Sequence, residues 1–185
     1  MKKRILFFIS YFIFSLSILA QGINLGLNAE TQFVIGDNST YFKNSTGMGT
    51  CVELEFSKYI GTSCRFNYAR VIPADSRIES GQQFIFLLGL FGRLPINDSF
   101  LYVKPGIEFG EVFQSIILKP EYDSLPEDFY SDFVIRISTA LIINPQQLAK
   151  GHFDFELAPL CTIIPMRDNV ISFIGARLSV LYKFN

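Results

Sequence analysis

From residue 23 onward, apolar and polar side chains alternate with a period of two, the pattern of strands that present their two faces to different environments. Ile23, Leu25, Leu27, Ala29, Thr31 and Phe33 oppose Asn24, Gly26, Asn28, Glu30 and Gln32. The pattern returns over residues 48–57, 62–71, 83–94, 100–112, 131–143, 152–163 and 170–185, so eight strands are predicted. Residues 83–94 are the least regular, because Ile85 and Leu87 are apolar where the alternation calls for polar residues. A buried helix competes for that stretch, but Gly89, Gly92 and the following Pro95-Ile96-Asn97-Asp98 favour a strand ending in a turn. Pro105 cannot donate to a ladder, and an irregularity is expected around it.

The connections alternate in length. Polar, turn-forming loops are predicted at Gly36 to Gly47, Pro73 to Gln82 and, longest, Gln114 to Tyr130, whereas Lys58 to Gly61 and Pro95 to Asp98 read as tight hairpins. An even strand count returns both chain ends to one side. The final strand, Val170 to Asn185, places Ile174, Ala176, Leu178, Val180, Tyr182 and Phe184 on one face, and its expected partner is the first strand, Ile23 to Val34. Such pairing closes a barrel and leaves no open edge.

Composition narrows the solvent. The chain is 49% hydrophobic and 15% aromatic, with twenty Phe and eight Tyr. Beyond the N-terminus no apolar run reaches the roughly 20 residues of a membrane-spanning helix, a combination expected when lipid-facing and lumen-facing residues alternate. Residues 1–20 read as a secretory signal peptide: Met1-Lys2-Lys3-Arg4, an uncharged run from Ile5 to Leu19, then Ala20 before the expected cut. The domain is then residues 21–185. Taking Lys2, Lys3 and Arg4 from the 16 basic residues leaves 13 against 17 acidic, a formal charge of −4, which disfavours nucleic acid as a partner. Cys51, Cys64 and Cys161 are odd in number and lack metal-type spacing, so neither a disulfide framework nor a metal site is expected.

If the apolar faces meet lipid, the opposite faces meet one another in a narrow lumen. They carry Glu30, Glu53, Glu55, Glu108, Asp132, Asp154 and Glu156 against Arg65, Arg93, Lys104, Arg136, Arg177 and Lys183. Buried charges must be paired, and eight strands enclose an interior that side chains can fill. The expectation is a structural charge network plugging the barrel, with a narrow gated pore as the alternative. An open diffusion channel needs about 16 strands.

In architecture the sequence resembles the small eight-stranded outer-membrane β-barrel proteins of OmpA and OmpX type, and in flavour the PorT-like barrel domains of the Bacteroidota. The resemblance is carried by the Leu19-Ala20-Gln21 junction, the opening strand at Ile23, the short aromatic strands and the ending Arg177-Leu178-Ser179-Val180-Leu181-Tyr182-Lys183-Phe184. It implies an all-β, antiparallel up-and-down transmembrane barrel in the cell outer membrane, with both termini periplasmic. Outer-membrane lipid and, during insertion, the barrel-assembly machinery would be its partners.

No catalytic motif accompanies the pattern, and neither catalysis nor a cofactor is expected. His152 is the single histidine, and His152, Asp154 and Glu156 on one strand are spread over about 13 Å by the strand rise, too far to converge on one ion. Two other classes stay open. One is a binding role carried by the outer loops, with Tyr122, Phe129 and Tyr130 as contacts to an extracellular or periplasmic protein; the same aromatics could instead form an interfacial girdle. The other is a soluble periplasmic, lipocalin-like barrel, in which the apolar faces would point inward around a ligand.

Overall fold

Period-two alternation becomes continuous antiparallel ladder in the computed structural model, which describes residues 20–36, 42–97, 100–122, 129–145, 152–165 and 170–184, with the side chains of residues 42, 97, 122, 129 and 130 left aside. The expected signal peptide lies outside the described residues, Ala20 excepted. The strands are β1 (Gly22–Ile35), β2 (Phe42–Glu55), β3 (Ile60–Pro73), β4 (Ile78–Gly92), β5 (Leu94–Asn97), β6 (Leu101–Leu118), β7 (Phe129–Ile143), β8 (Phe153–Pro165) and β9 (Val170–Phe184). β4 and β5 are two pieces of one strand interrupted at Arg93, so the barrel has eight staves.

Each stave pairs with its sequence neighbours, and β1 pairs with β9 from Ile23↔Phe184 to Ile35↔Ser172. The sheet therefore closes, as the first and last segments of the sequence lead one to expect. Along the lumen-facing row, Asn24 leads through Glu53, Ser63, Gly89, Glu108, Arg136, Thr162 and Phe173 back to Val34 on β1. The return lands ten residues beyond the start. A stagger of that size around eight strands corresponds to a tilt of about 40°.

Strands run further than the alternation indicates at the end away from the termini. β2 begins at Phe42, inside the expected Gly36 to Gly47 loop, β4 begins at Ile78, and β6 continues to Leu118. Only part of the expected Gln114 to Tyr130 loop is loop: a 3-10 turn at Pro120–Tyr122 follows β6, and β7 starts at Phe129. In β4 and β6 the added residues Ile78, Ile116 and Leu118 pack against one apolar cluster in the lumen, whereas in β2 the ladder persists through Lys43, Asn44 and Ser45, where the hydrophobic signal fades. At the opposite end the β2–β3 turn is tight. Phe56 N and Ser57 N donate to the Ile60 carbonyl, and Ser57 Oγ accepts from the amides of Tyr59 and Ile60, which satisfies the turn backbone locally.

The irregularity expected near Pro105 lies in the neighbouring stave. Pairing of β4 with β6 stops at Phe91↔Gly106 and resumes in β5 at Leu94↔Val103, opposite Pro105 and Lys104. Pro159 has the same effect on the β7–β8 ladder, which skips from Ser138↔Leu160 to Leu141↔Leu157. In both places a residue without an N–H leaves a gap without changing the register.

Burial fixes which face is which. Leu27, Met48 and Leu178 are 68, 71 and 62% exposed on the outside, whereas Arg136 is 0% and Glu53 1% exposed within. The lipocalin-like arrangement, apolar inward and charged outward, is overturned by this partition. Cys51 is buried while Cys64 and Cys161 are half-buried, and all three are free thiols.

The outside is predicted to tolerate no charge at mid-height. In lipid vesicles, Leu27→Arg, halfway along β1, should lower unfolding stability by about 2–4 kcal/mol, while Ser76→Arg in the exposed β3–β4 turn should change it by no more than about 0.5 kcal/mol; urea titrations of both variants measure the contrast.

Candidate functional site

The lumen is where the chemistry-bearing residues converge. Inward-facing alternate positions of all staves supply them, and nearly every charged side chain singled out in the sequence is there. Arg65 on β3 is the central node. Its Nη2 donates to Glu53 at 2.8 Å and its Nε to Glu108 at 2.6 Å. Lys104 on β6 donates to both carboxylate oxygens of Glu53, at 2.7 and 2.8 Å, and to Glu156. Arg177 on β9 reaches Glu108 at 3.4 Å from the other side.

Two further groups flank this centre. Towards the far end, Arg136 holds Glu30 by Nη1 at 2.9 Å and Nη2 at 3.2 Å, and Glu30 also accepts from Asn67 and Gln32. Towards the termini, Arg93 bridges Glu55 at 2.9 Å and Asp154 at 3.0 Å, and Asp154 accepts from Lys183 and Asn144. Arg93 also stacks over Tyr102, 4.4 Å from the ring centre. The break between β4 and β5 occurs at this residue, whose amide donates to the Tyr59 carbonyl on β3.

Six cations thus meet six carboxylates, with no carboxylate of this set left unpaired. Asp132 is the correction. It is half-buried and takes part in no ion pair among the described residues. Its register partner on β6 is Val112, part of an apolar layer beyond the charges. Its parity is inward, but parity carries no information about height along the barrel.

That apolar layer was not anticipated as a unit. Val34, Val71, Ile78, Ile85, Leu87, Val112, Val134, Ile164 and Phe173 form one buried cluster at the loop end of the lumen. Ile85 and Leu87, which break the alternation of their strand, do so because they face this cluster. Uncharged partners were also passed over, among them Asn24, which donates to Glu55, and Thr162, which accepts from Arg136. Only their inward parity marked them.

Bulky side chains fit in so narrow a tube because glycines stand opposite them. A Cβ at Gly49 would collide with Asn67 Oδ1 and the Phe66 carbonyl, and one at Gly89 would meet Glu108 Cγ at 2.6 Å. Within the network a cavity of about 10 Å³, lined in part by Arg65, Arg177, Glu108 and Ser138, has room for about one water molecule.

Among the described residues, the lumen side chains form ion pairs and hydrogen bonds with one another, and His152 stands apart from them. His152 sits at the terminal end, its ring stacked on Tyr182 at 5.8 Å between centroids. No cluster of three metal-ligand side chains occurs among the described residues. The side chains of Tyr122, Phe129 and Tyr130, the expected loop contacts, lie outside those described.

Membership of the network has a measurable consequence. Removing one partner of a buried ion pair strands the other, at about 3–5 kcal/mol. Arg65→Met should therefore lose that much stability in lipid vesicles, while Asp132→Asn should shift the urea midpoint by an amount equivalent to no more than about 0.5 kcal/mol.

Neither a protein-family model nor a curated protein sequence matches the chain. Solved structures do. The Neisserial surface protein A structure superposes with a TM-score of 0.66 at 10% identity, covering 88% of this chain and 97% of that one. Ail, the attachment invasion locus protein of Yersinia pestis, gives 0.60 at 15% identity over 88% of this chain and 98% of that one. The outer membrane protein OprG of Pseudomonas aeruginosa gives 0.57 at 10% identity over 90% and 97%. The chain has the fold of the small, closed, eight-stranded outer-membrane β-barrels.

Proposed function

We propose that this protein is an integral outer-membrane β-barrel with a lumen plugged by its own side chains, serving a structural or loop-mediated binding role without catalysis. One observation carries the reading: large apolar side chains such as Leu27, Leu90 and Leu178 are exposed around the outside, while Arg65, Arg136, Arg177 and their carboxylates are buried within. In water that partition exposes a broad apolar surface, whereas lipid covers it. Lipid also demands that backbone groups be paired, which a closed ladder achieves.

The start of β1 and the end of β9 lie on the side of the short β2–β3 turn, and periplasmic termini follow if the longer connections face outward. Tyr182 lies within 5.2 Å of Phe153 and 4.8 Å of Phe184, ring centre to centre, making an aromatic group at the terminal rim. This suits an interfacial girdle, and on the closing strand it would be the part that the barrel-assembly machinery meets. For a surface role, the support is the extension of β2, β4 and β6 past their alternating segments at the loop end and the likeness in fold to Ail, named for attachment and invasion, and to a Neisserial surface protein. What weighs against a conducting path is the combination of a paired charge network and an apolar layer filling successive levels of the same lumen.

Fractionation and electrophoresis test the proposal. The protein should be found in the outer-membrane fraction, migrate differently with and without boiling, and give no ion conductance in planar bilayers. A freely soluble periplasmic protein would overturn the membrane reading, and steady single-channel currents would overturn the plugged lumen.

A further inference from the structure

Where the ladders are regular, the outward positions among the described residues carry two charged side chains, Arg70 on β3 and Glu111 on β6. Both are exposed, and neither takes part in an ion pair among those residues. Each stands in an apolar column of its own stave. Tyr68 and Ile72 are the outward neighbours of Arg70, and Phe109 and Phe113 those of Glu111.

Register places the two charges at nearly one level. Arg70 pairs with Gln82 on β4 and Gln82 with Ser115 on β6, so the row from Arg70 reaches β6 four residues beyond Glu111. With ten residues of stagger around eight strands, two steps along the row climb the equivalent of about 2.5 residues towards the loop end. Four residues back leave Glu111 about 1.5 residues, or about 4 Å, below Arg70. Around the wall they stand further apart. Two strand spacings and four residues separate their Cα atoms by about 16 Å, beyond the reach of an ion pair within one chain.

Between them lie β4 and an aromatic face. Phe84 has its ring centre 6.2 Å from that of Phe66 and 5.0 Å from that of Tyr68, and Phe86 follows on the same stave. All four rings are exposed on the outside.

We propose that this face is a dimerisation surface within the membrane, and that its partner is a second copy of this chain. A two-fold axis keeps both copies inserted in the same sense only if it runs along the membrane normal, and the interface it makes is self-complementary. An axis passing just outside β4 sets β3 of one copy against β6 of the other. Each Arg70 then meets the partner's Glu111, twice over, at the rim of a centre formed by the two aromatic faces. Opposite charges at one level on either side of a stave are what that symmetry requires; like charges would repel. Acyl chains offer neither charge a counterpart, and an aromatic centre with a charged rim is the usual composition of a protein interface. This pairing rests on the membrane reading yet fails separately from it. A soluble protein would remove the membrane, whereas a membrane barrel that stays monomeric would remove only the dimer.

Sedimentation equilibrium of the protein extracted from outer membranes, in density-matched detergent, tests the dimer. The wild-type chain should associate reversibly into dimers. Arg70→Glu and Glu111→Lys should each weaken association about tenfold, since either reversal makes both symmetric pairs repulsive. Combining the two reversals should restore it, with heat-modifiable migration kept throughout. If a reversed charge prevents assembly, Arg70→Gln and Glu111→Gln serve instead, each with a smaller weakening. A wild-type protein that is monomeric at every ratio of protein to detergent would overturn the proposal, and anionic lipid lost on Arg70→Gln would then assign Arg70 to a headgroup. Dimers that neither single variant weakens, or that the combined variant does not restore, would place the contact elsewhere and overturn it as well.

Discussion

Twelve charged side chains inside a closed tube impose the condition that the rest of this structure satisfies: each must find its opposite within the lumen, because neither lipid nor bulk water is available there. Arg65 shows the consequence. It holds Glu53 and Glu108 together, Lys104 joins Glu53 to Glu156, and Arg177 returns to Glu108, so five strands that are not all neighbours, β2, β3, β6, β8 and β9, are tied across the barrel. Backbone ladders fix the wall; the ion pairs fix what fills it. The ten-residue stagger links the two, since it decides which inward positions stand at the same height.

Filling is graded along the axis. Arg93, Asp154 and Lys183 close the end near the termini, the Arg65 node occupies the middle, and Glu30 with Arg136 leads to the apolar layer of Ile85, Leu87, Val134 and Phe173. Charges alone would hold water, and an apolar lumen alone would lack the register that directional pairs impose. Glycines such as Gly49 and Gly89 make the arrangement sterically feasible by giving long side chains room in a narrow tube. Where the ladder has gaps, at Pro105 and Pro159, the register is unaltered on both sides, so the positions of the inward charges are preserved.

Much of this was legible in the chain because a period of two is a direct image of a two-faced strand. The eight strands, the pairing of the first with the last, and the placement of Arg65, Glu108, Arg136 and Arg177 on one common face all follow from the alternation and its repeats. Parity cannot say which face is inside, and it was burial that separated the membrane-type barrel from the lipocalin-type one. Nor does it give height, which is why Asp132 reads as a network member and the apolar layer does not read at all. Strand ends were missed for a related reason: past the apolar belt Lys43, Asn44 and Ser45 carry no hydrophobic signal, yet β2 runs through them. The loop residues Tyr122, Phe129 and Tyr130 bear on a binding role, and nothing in a spacing rule distinguishes a contact from a girdle.

The filling of the barrel depends on its ion pairs, and Glu30 with Arg136 is the cleanest of them, joined through two guanidinium nitrogens and, among the described residues, bridged to no other charged side chain. A double-mutant cycle in lipid vesicles with Glu30→Leu and Arg136→Met tests it. Each single variant should lose about 3–5 kcal/mol, and the double variant should recover most of either loss because no charge is left stranded. If the two losses simply add to within about 0.5 kcal/mol, the residues are not coupled, and the paired lumen on which this account rests would be wrong.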